Sequence, residues 1–197
     1  MIILKTTNNI KKYRREIQVS EKEDRNINVC LVECFGKNKW SHLFYSSYDG
    51  YAMLLEKKLI DLPGKLFMVY QINEHSRGGH VEYETLVMNI DGKILNQFNS
   101  NYHSKFLLDD KYLWFLKSGA KRYDLISDRD LDLVKLNTKT GQVKQIIKLN
   151  YQALLNCSYS YVIAVSLSVK HNKGVLQIKY SDESKDTRSK RIELTKI

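Results

Sequence analysis

Leu-Val-Lys-Leu-Asn-Thr-Lys-Thr-Gly-Gln-Val, residues 133–143, is the stretch on which the fold is read. Leu133 to Asn137 is a short alternating strand of the kind that buries one face. Thr138 to Gly141 is a turn, with glycine where a positive φ is needed. Gln142 to Leu149 (QVKQIIKL) is the returning strand. A strand, a glycine turn and a second strand within 17 residues make an antiparallel hairpin.

The same shape recurs outward in both directions. Leu86 to Phe98 (LVMNIDGKILNQF) turns at Asp91-Gly92, one of the stronger short hairpin signals. Val29 to Tyr45 turns at Gly36-Lys37-Asn38, and Val175 to Leu194 turns at the long polar stretch Asp182 to Asp186. Taking Leu31, Leu86, Leu133 and Leu176 as equivalent positions gives spacings of 55, 47 and 43 residues. Further strand pairs fill the intervals. Lys65 to Ile72 and Val81 to Val87 are joined at Arg77-Gly78-Gly79; Lys105 to Leu108 and Tyr112 to Leu116 are joined at Asp109 to Lys111. Tyr159 to Val169 is one long alternating strand.

Residues 133–143 resemble the outer hairpin of a blade in β-propeller repeat proteins, whose blades are four-stranded antiparallel sheets at intervals of this order. The resemblance covers one blade well and two or three loosely, and implies an architecture alone. The expected fold is all-β, mostly antiparallel hairpins, as a four-bladed or incomplete β-propeller-like domain. The alternatives are a β-sandwich or meander with one or two short helices, or an α+β fold. Tyr51 to Ile60 (YAMLLEKKLI) and Tyr151 to Leu155 (YQALL) are built of good helix formers and are the two candidate helices.

The chain has 197 residues, 43% of them hydrophobic, enough for one domain with a sizeable core, and its one proline marks no linker. Cys30 and Cys34 on one strand would stand about 13 Å apart, beyond disulfide reach. Cys157 is remote in sequence, so three free thiols in a reducing compartment are expected. No stretch has the length of a membrane span and the N-terminal charge order is not that of a signal peptide, which together point to a cytoplasmic protein.

No nucleophile elbow, phosphate-binding glycine loop or dinucleotide fingerprint occurs in the sequence, so no enzyme and no cofactor is expected. His75 and His80 flank a turn, but two ligands do not complete a zinc site, and no metal is expected. Asp128, Asp130 and Asp132, with Asp124 nearby, copy the start of a calcium loop. Leu133 then stands where glycine is required and Lys139 where the bidentate glutamate belongs. These acids are read as the solvent face of an exposed edge strand, with Leu131 and Leu133 facing in. Trp40, Phe44 and Tyr45 are read as core. Tyr48 and Tyr51, flanking Asp49-Gly50, are the exposed pair.

The net charge of +10 is uneven. Residues 1–15 carry five bases and no acid, residues 16–120 are nearly balanced, and residues 184–197 carry five bases against two acids. If the first and last strands close a ring, Lys11, Lys12, Arg14 and Arg15 meet Arg188, Lys190 and Arg191 in one basic patch. With Tyr48 and Tyr51 these are the candidate binding residues. The expected function is a non-catalytic protein-binding module, most concretely a small inhibitor or immunity-type protein. Its partner would present an acidic surface, and the Lys-, Asn-, Ile- and Tyr-rich composition with a single proline reads as that of an AT-rich genome, bacterial or phage. The alternative is a nucleic-acid-binding accessory protein using the same termini.

Overall fold

A computed structural model describes residues 1–3, 7–12, 14–24, 27–36, 39–47, 52–75, 80–100, 104, 106–109, 111–118, 131–156, 161–181 and 185–197. The chain is all-β, and its contacts divide it into two compact units. The first comprises Lys5–Asn99 with Thr138–Gln142. The second comprises Met1–Leu4, Ser100–Asn137 and Val143–Ile197. Among the described residues no helix is long and apolar enough to cross a membrane.

After β1 (Ile2–Ile3), which belongs to the second unit, the first unit is built from two antiparallel meanders. One is β2 (Asn9–Lys12), β3 (Arg15–Asp24), β4 (Ile27–Phe35) and β5 (Trp40–Ser47). The other is β6 (Ala52–Leu62), β7 (Leu66–His75), β8 (His80–Asn89) and β9 (Ile94–Ser100). The register pairs Ile10 with Ile17, Ile17 with Cys34 and Val19 with Val32, so these side chains share one face. That face packs on Leu59, Phe67, Val69, Leu86, Met88 and Ile90 of the other sheet. Thr7 pairs with Leu59 through their backbones, stitching the approach to β2 onto β6.

The second unit contains a sheet of order β1-β10-β11-β12-β13, with β10 (Leu107–Leu108), β11 (Tyr112–Ser118), β12 (Leu131–Asn137) and β13 (Val143–Lys148). A second sheet holds β14 (Tyr161–Lys170), β15 (Lys173–Ser181) and β16 (Thr187–Glu193). The helix α1 (Tyr151–Leu155) lies between β13 and β14 in sequence. Its first turn is capped by the Asn150 side chain, which accepts from the Ala153 N–H at 3.2 Å. Leu107, Trp114, Leu116, Leu133, Val165, Leu176 and Ile178 are the centre of this unit's core.

All four hairpins read from the sequence are present, and each forms the last two strands of its sheet: β4–β5, β8–β9, β12–β13 and β15–β16. Gly36, Gly92 and Gly141 have φ of 123°, 88° and 71°, the positive values their turns require. The turn residues Lys37, Asn38, Arg77 to Gly79 and Asp182 to Ser184 lie outside the described residues. One further hairpin, β14–β15, turns through His171 and Asn172 with φ of 49° and 61°. That is a two-residue turn with both residues left-handed and no glycine.

Two expectations are corrected. Of the candidate helix Tyr51 to Ile60, the described residues are not helical: Ala52–Leu62 is strand β6, antiparallel to β7 along its length. The helix formers there have weak intrinsic preferences, and burial of Leu59, Ile60 and Leu62 in a sheet outweighs them. The second candidate helix, Tyr151 to Leu155, is α1 as read. Nor is β12 an exposed edge, for it lies between β11 and β13. Asp132 is 8% exposed and faces Lys117 across the ladder, with Nζ and Oδ2 3.2 Å apart. A carboxylate needs such a partner when its strand is buried on both faces. Asp124, Asp128 and Asp130 lie outside the described residues.

Gly92 offers the sharpest test of the first unit. A Cβ there would stand 2.8 Å from the Trp40 indole, on a backbone with φ of 88°. At Gly64, with φ of 76°, the nearest heavy atom would be 4.0 Å away. Gly64→Ala should therefore cost about 1 kcal/mol, from backbone strain alone. Gly92→Ala should cost about 2–4 kcal/mol, since strain and overpacking add. Paired denaturant titrations measure the difference, and equal losses would remove the packing argument.

Candidate functional site

The four candidate cations of the N-terminal run stand on one hairpin but do different things. β2 and β3 alternate inward and outward with period two, and the register sets Lys12 opposite Arg15 and Lys11 opposite Glu16. Ile10, Lys12, Arg15 and Ile17 consequently share the inward face. Lys12 is 10% exposed, and its ammonium donates to the Asp61 carboxylate and to the carbonyls of Leu62 and Leu66, the last at 2.9 Å. Those carbonyls bracket the turn between β6 and β7.

Arg15 does the equivalent work at the turn between β8 and β9. Its Nη1 donates to the Ile90 carbonyl at 2.6 Å and to Asp91 Oδ1 at 2.8 Å. The same Ile90 carbonyl accepts from Trp40 Nε1 at 3.1 Å, and the Trp40 ring stacks on Phe67 with centroids 6.1 Å apart. Asn89 braces this turn from within, its Oδ1 accepting the N–H groups of Asp91 and Lys93. Lys12 and Arg15 are thus internal donors that fasten one sheet to the turns of the other.

Lys11 and Arg14 are the other kind. Both are exposed, and their side chains make no hydrogen bond or ion pair among the described residues. Together with Arg15, Glu16, Phe35 and Gly36 they line a cleft of about 330 Å³. Phe35, 38% exposed, is brought there because the β3–β4 register sets it opposite Glu16. Glu16 accepts from Asn9 Nδ2 at 2.6 Å. Arg14 has φ of 61°, and a left-handed backbone is strained for any residue that carries a Cβ, least so for Asn and Asp. The cleft offers two uncommitted cations beside an exposed aromatic ring, which suits a carboxylate carried on an apolar or aromatic group.

Behind the cleft, Cys34 is buried and free. Burial pushes its thiol above the ordinary range; the Arg15 guanidinium pulls it down and Asp91 pushes it up again. Such a thiol packs as a small apolar group, as expected for a core cysteine. Cys157 lies outside the described residues, as does the side chain of Cys30.

The C-terminal run behaves differently again. Arg188, Lys190 and Arg191 lie on β16, an edge strand of the second unit. Register sets Arg188 opposite Tyr180 and Lys190 opposite Ile178, on one face; Arg191, opposite Gln177, is on the other. Among the described residues of 1–15, no strand pairs with β16: β1 pairs with β10 and β2 with β3. The first-to-last strand pairing on which a single seven-cation patch was conditional is absent from the ladders. Tyr48 and Tyr51 lie outside the described residues. The backbone sets His75 directly across from His80 on β7 and β8. Among the described residues no group of three or more His, Cys, Asp or Glu is placed to hold a metal ion.

Sequence reasoning missed Phe35 and Gly36 as walls of the cleft, because their nearness to Glu16 depends on strand register. Comparisons with protein families and with curated proteins return no match to this chain.

Two tests follow from this division of labour. Lys12→Met removes the donor shared by the Leu62 and Leu66 carbonyls and the Asp61 carboxylate and should cost about 1–3 kcal/mol, whereas Lys11→Met should stay within about 0.5 kcal/mol. Chemical denaturation of both variants measures it; similar losses would contradict the assignment. For Cys34, the folded thiol holds its proton more tightly than the unfolded one. Stability is then full below the ordinary thiol pKa and declines as pH rises through the folded value. The decline should be smaller in Cys34→Ala when unfolding midpoints are compared between pH 7 and pH 10.

Proposed function

We propose that this chain is a non-catalytic protein-binding module, of the inhibitor or immunity type, that meets an acidic surface on its partner through the turn of its first hairpin. One observation carries the reading: Lys11 and Arg14 are left unspent around exposed Phe35 while their neighbours Lys12 and Arg15 are used internally. Arginine and aromatic residues are the side chains that concentrate binding energy at protein interfaces. A turn position with φ of 61° is better served by asparagine or glycine. An arginine kept there at a cost of about 1 kcal/mol is most simply retained for its guanidinium.

Two companions of the reading stay with it as proposals. The succession of four antiparallel sheets, each ending in a similar hairpin, supports a propeller-like arrangement. The free thiol of Cys34 supports a reducing, cytoplasmic setting. Nucleic-acid binding draws less support, since a phosphate backbone is tracked by a continuous strip of free cations and Lys12 and Arg15 are engaged elsewhere.

Arg14→Asn removes the cation and keeps a residue that tolerates the left-handed backbone. It should leave folding stability within about 0.5 kcal/mol of the parent or above it. Combined with Lys11→Ala, it should slow association with the partner severalfold and flatten its salt dependence. Affinity capture from native lysate, run with both proteins side by side, is the measurement. An acidic protein held by the parent and lost by the variant supports the proposal. Equal retention by both, or retention abolished by nuclease, overturns it.

A further inference from the structure

β16 is the outer strand of the β14-β15-β16 sheet, and we infer that its free edge takes an extended acidic segment of a partner chain as an added strand. This inference concerns the second unit and stands apart from the cleft at Lys11 and Arg14. β16 pairs with β15 from Val175↔Glu193 to Ser181↔Thr187, and no strand among the described residues lies on its other side. An edge of this length presents backbone donors and acceptors in the spacing another strand needs.

The side chains along the edge say what that strand must carry. Ile192, opposite Leu176, packs against the core of the unit. Lys190 shares its face, beside buried Ile178, while Arg191 stands exposed on the opposite face. The neighbouring acid, Glu193, is already countered by Lys173 at 3.3 Å and Lys196 at 3.9 Å, so it does not repel an incoming carboxylate. A strand laid antiparallel to β16 sets its residues directly across from Ile192, Arg191 and Lys190 in that order. The complementary segment therefore reads apolar, acid, acid from its N-terminal end, and a third acid two residues on faces Arg188.

A second copy of this chain does not meet that requirement. Antiparallel pairing of β16 with itself over its full length sets Lys190 across from Lys190, and a one-residue shift sets Arg188 across from Arg191 or Lys190 across from Arg191. Like charges directly opposite are destabilising. Cations on an edge strand commonly serve to block indiscriminate pairing. Here the same cations, beside a half-buried isoleucine, make the edge selective.

The probe is the capped peptide Thr-Val-Glu-Glu-Thr-Glu-Thr, titrated to millimolar concentration into the full ¹⁵N-labelled chain. Saturable shifts confined to β16 and its neighbours, with slowed amide exchange along β16, are the expected result. A peptide of the same sequence N-methylated at every residue cannot donate a ladder and should bind at least tenfold more weakly. Lys190→Glu/Arg191→Glu, on the exposed edge, should lower affinity about tenfold, as two cross-strand attractions become repulsions. Equal binding of the N-methylated peptide, or binding unchanged in the charge-reversed variant, overturns the inference. So does a β16 that responds to a single-stranded oligonucleotide and not to the peptide.

Discussion

An ammonium on the inward face of a strand is tolerated only where acceptors surround it. Lys12 meets that condition because β6 and β7 turn beneath it, offering the carbonyls of Leu62 and Leu66 and the Asp61 carboxylate. Arg15, across the hairpin, finds the next turn in the same way, at Ile90 and Asp91. Once those two donors are placed, much else in the first unit is fixed. Ile10 and Ile17 must face the core beside them, Trp40 can share the Ile90 carbonyl, and Gly92 must lack a Cβ so that the indole can lie flat. The same constraint aims Lys11 and Arg14 away from the core. The bonded cations are what hold the unbonded ones in position.

The charge of this chain therefore has to be divided before it can be interpreted. Of the four candidate cations near the N-terminus, two are consumed by internal acceptors, and their positive charge is matched locally by Asp61 and Asp91. Lys117 is consumed likewise by Asp132. In the second unit Lys135 lies over the rings of Tyr112 and Trp114, 4.6 and 4.7 Å from their centroids, spending its charge on two aromatic faces. The cations left for a partner are fewer than the 32 bases of the sequence, and those of the two candidate sites sit at an element boundary or an edge. Those are the places where the sheets have no internal use for them.

What the sequence made legible follows from what is local. Turns announce themselves through glycine, because a positive φ excludes most other residues, and the strands around Gly36, Asp91-Gly92 and Gly141 were readable for that reason. The β14–β15 turn was not read as one because His171 and Asn172 fill both left-handed positions without a glycine. Ala52 to Leu62 misleads because its residues favour a helix by fractions of a kcal/mol, a preference that pairing with β7 overrides. The place of Asp132 depends on whether β12 is central or at an edge, which is a property of sheet order and is absent from the local pattern. Likewise no reading of KKYRR separates Lys12 from Lys11 until the strand bounds and register are known. A one-residue shift would exchange their faces.

The two basic elements that remain differ in kind, and the difference has consequences for recognition. At the cleft, Lys11, Arg14 and Phe35 offer side chains only, so the attraction is long-ranged, readily screened by salt and tolerant of the partner's backbone conformation. At β16 the main chain contributes the ladder and the side chains filter what may join it, so geometry comes first and charge second. A folded acidic surface can satisfy the first and not the second; an extended acidic segment can satisfy both. A partner that carries its acids on a strand or a tail is consequently the one this distribution of charge suits best. Raising salt should then strip away the contact at the cleft well before the one at the edge.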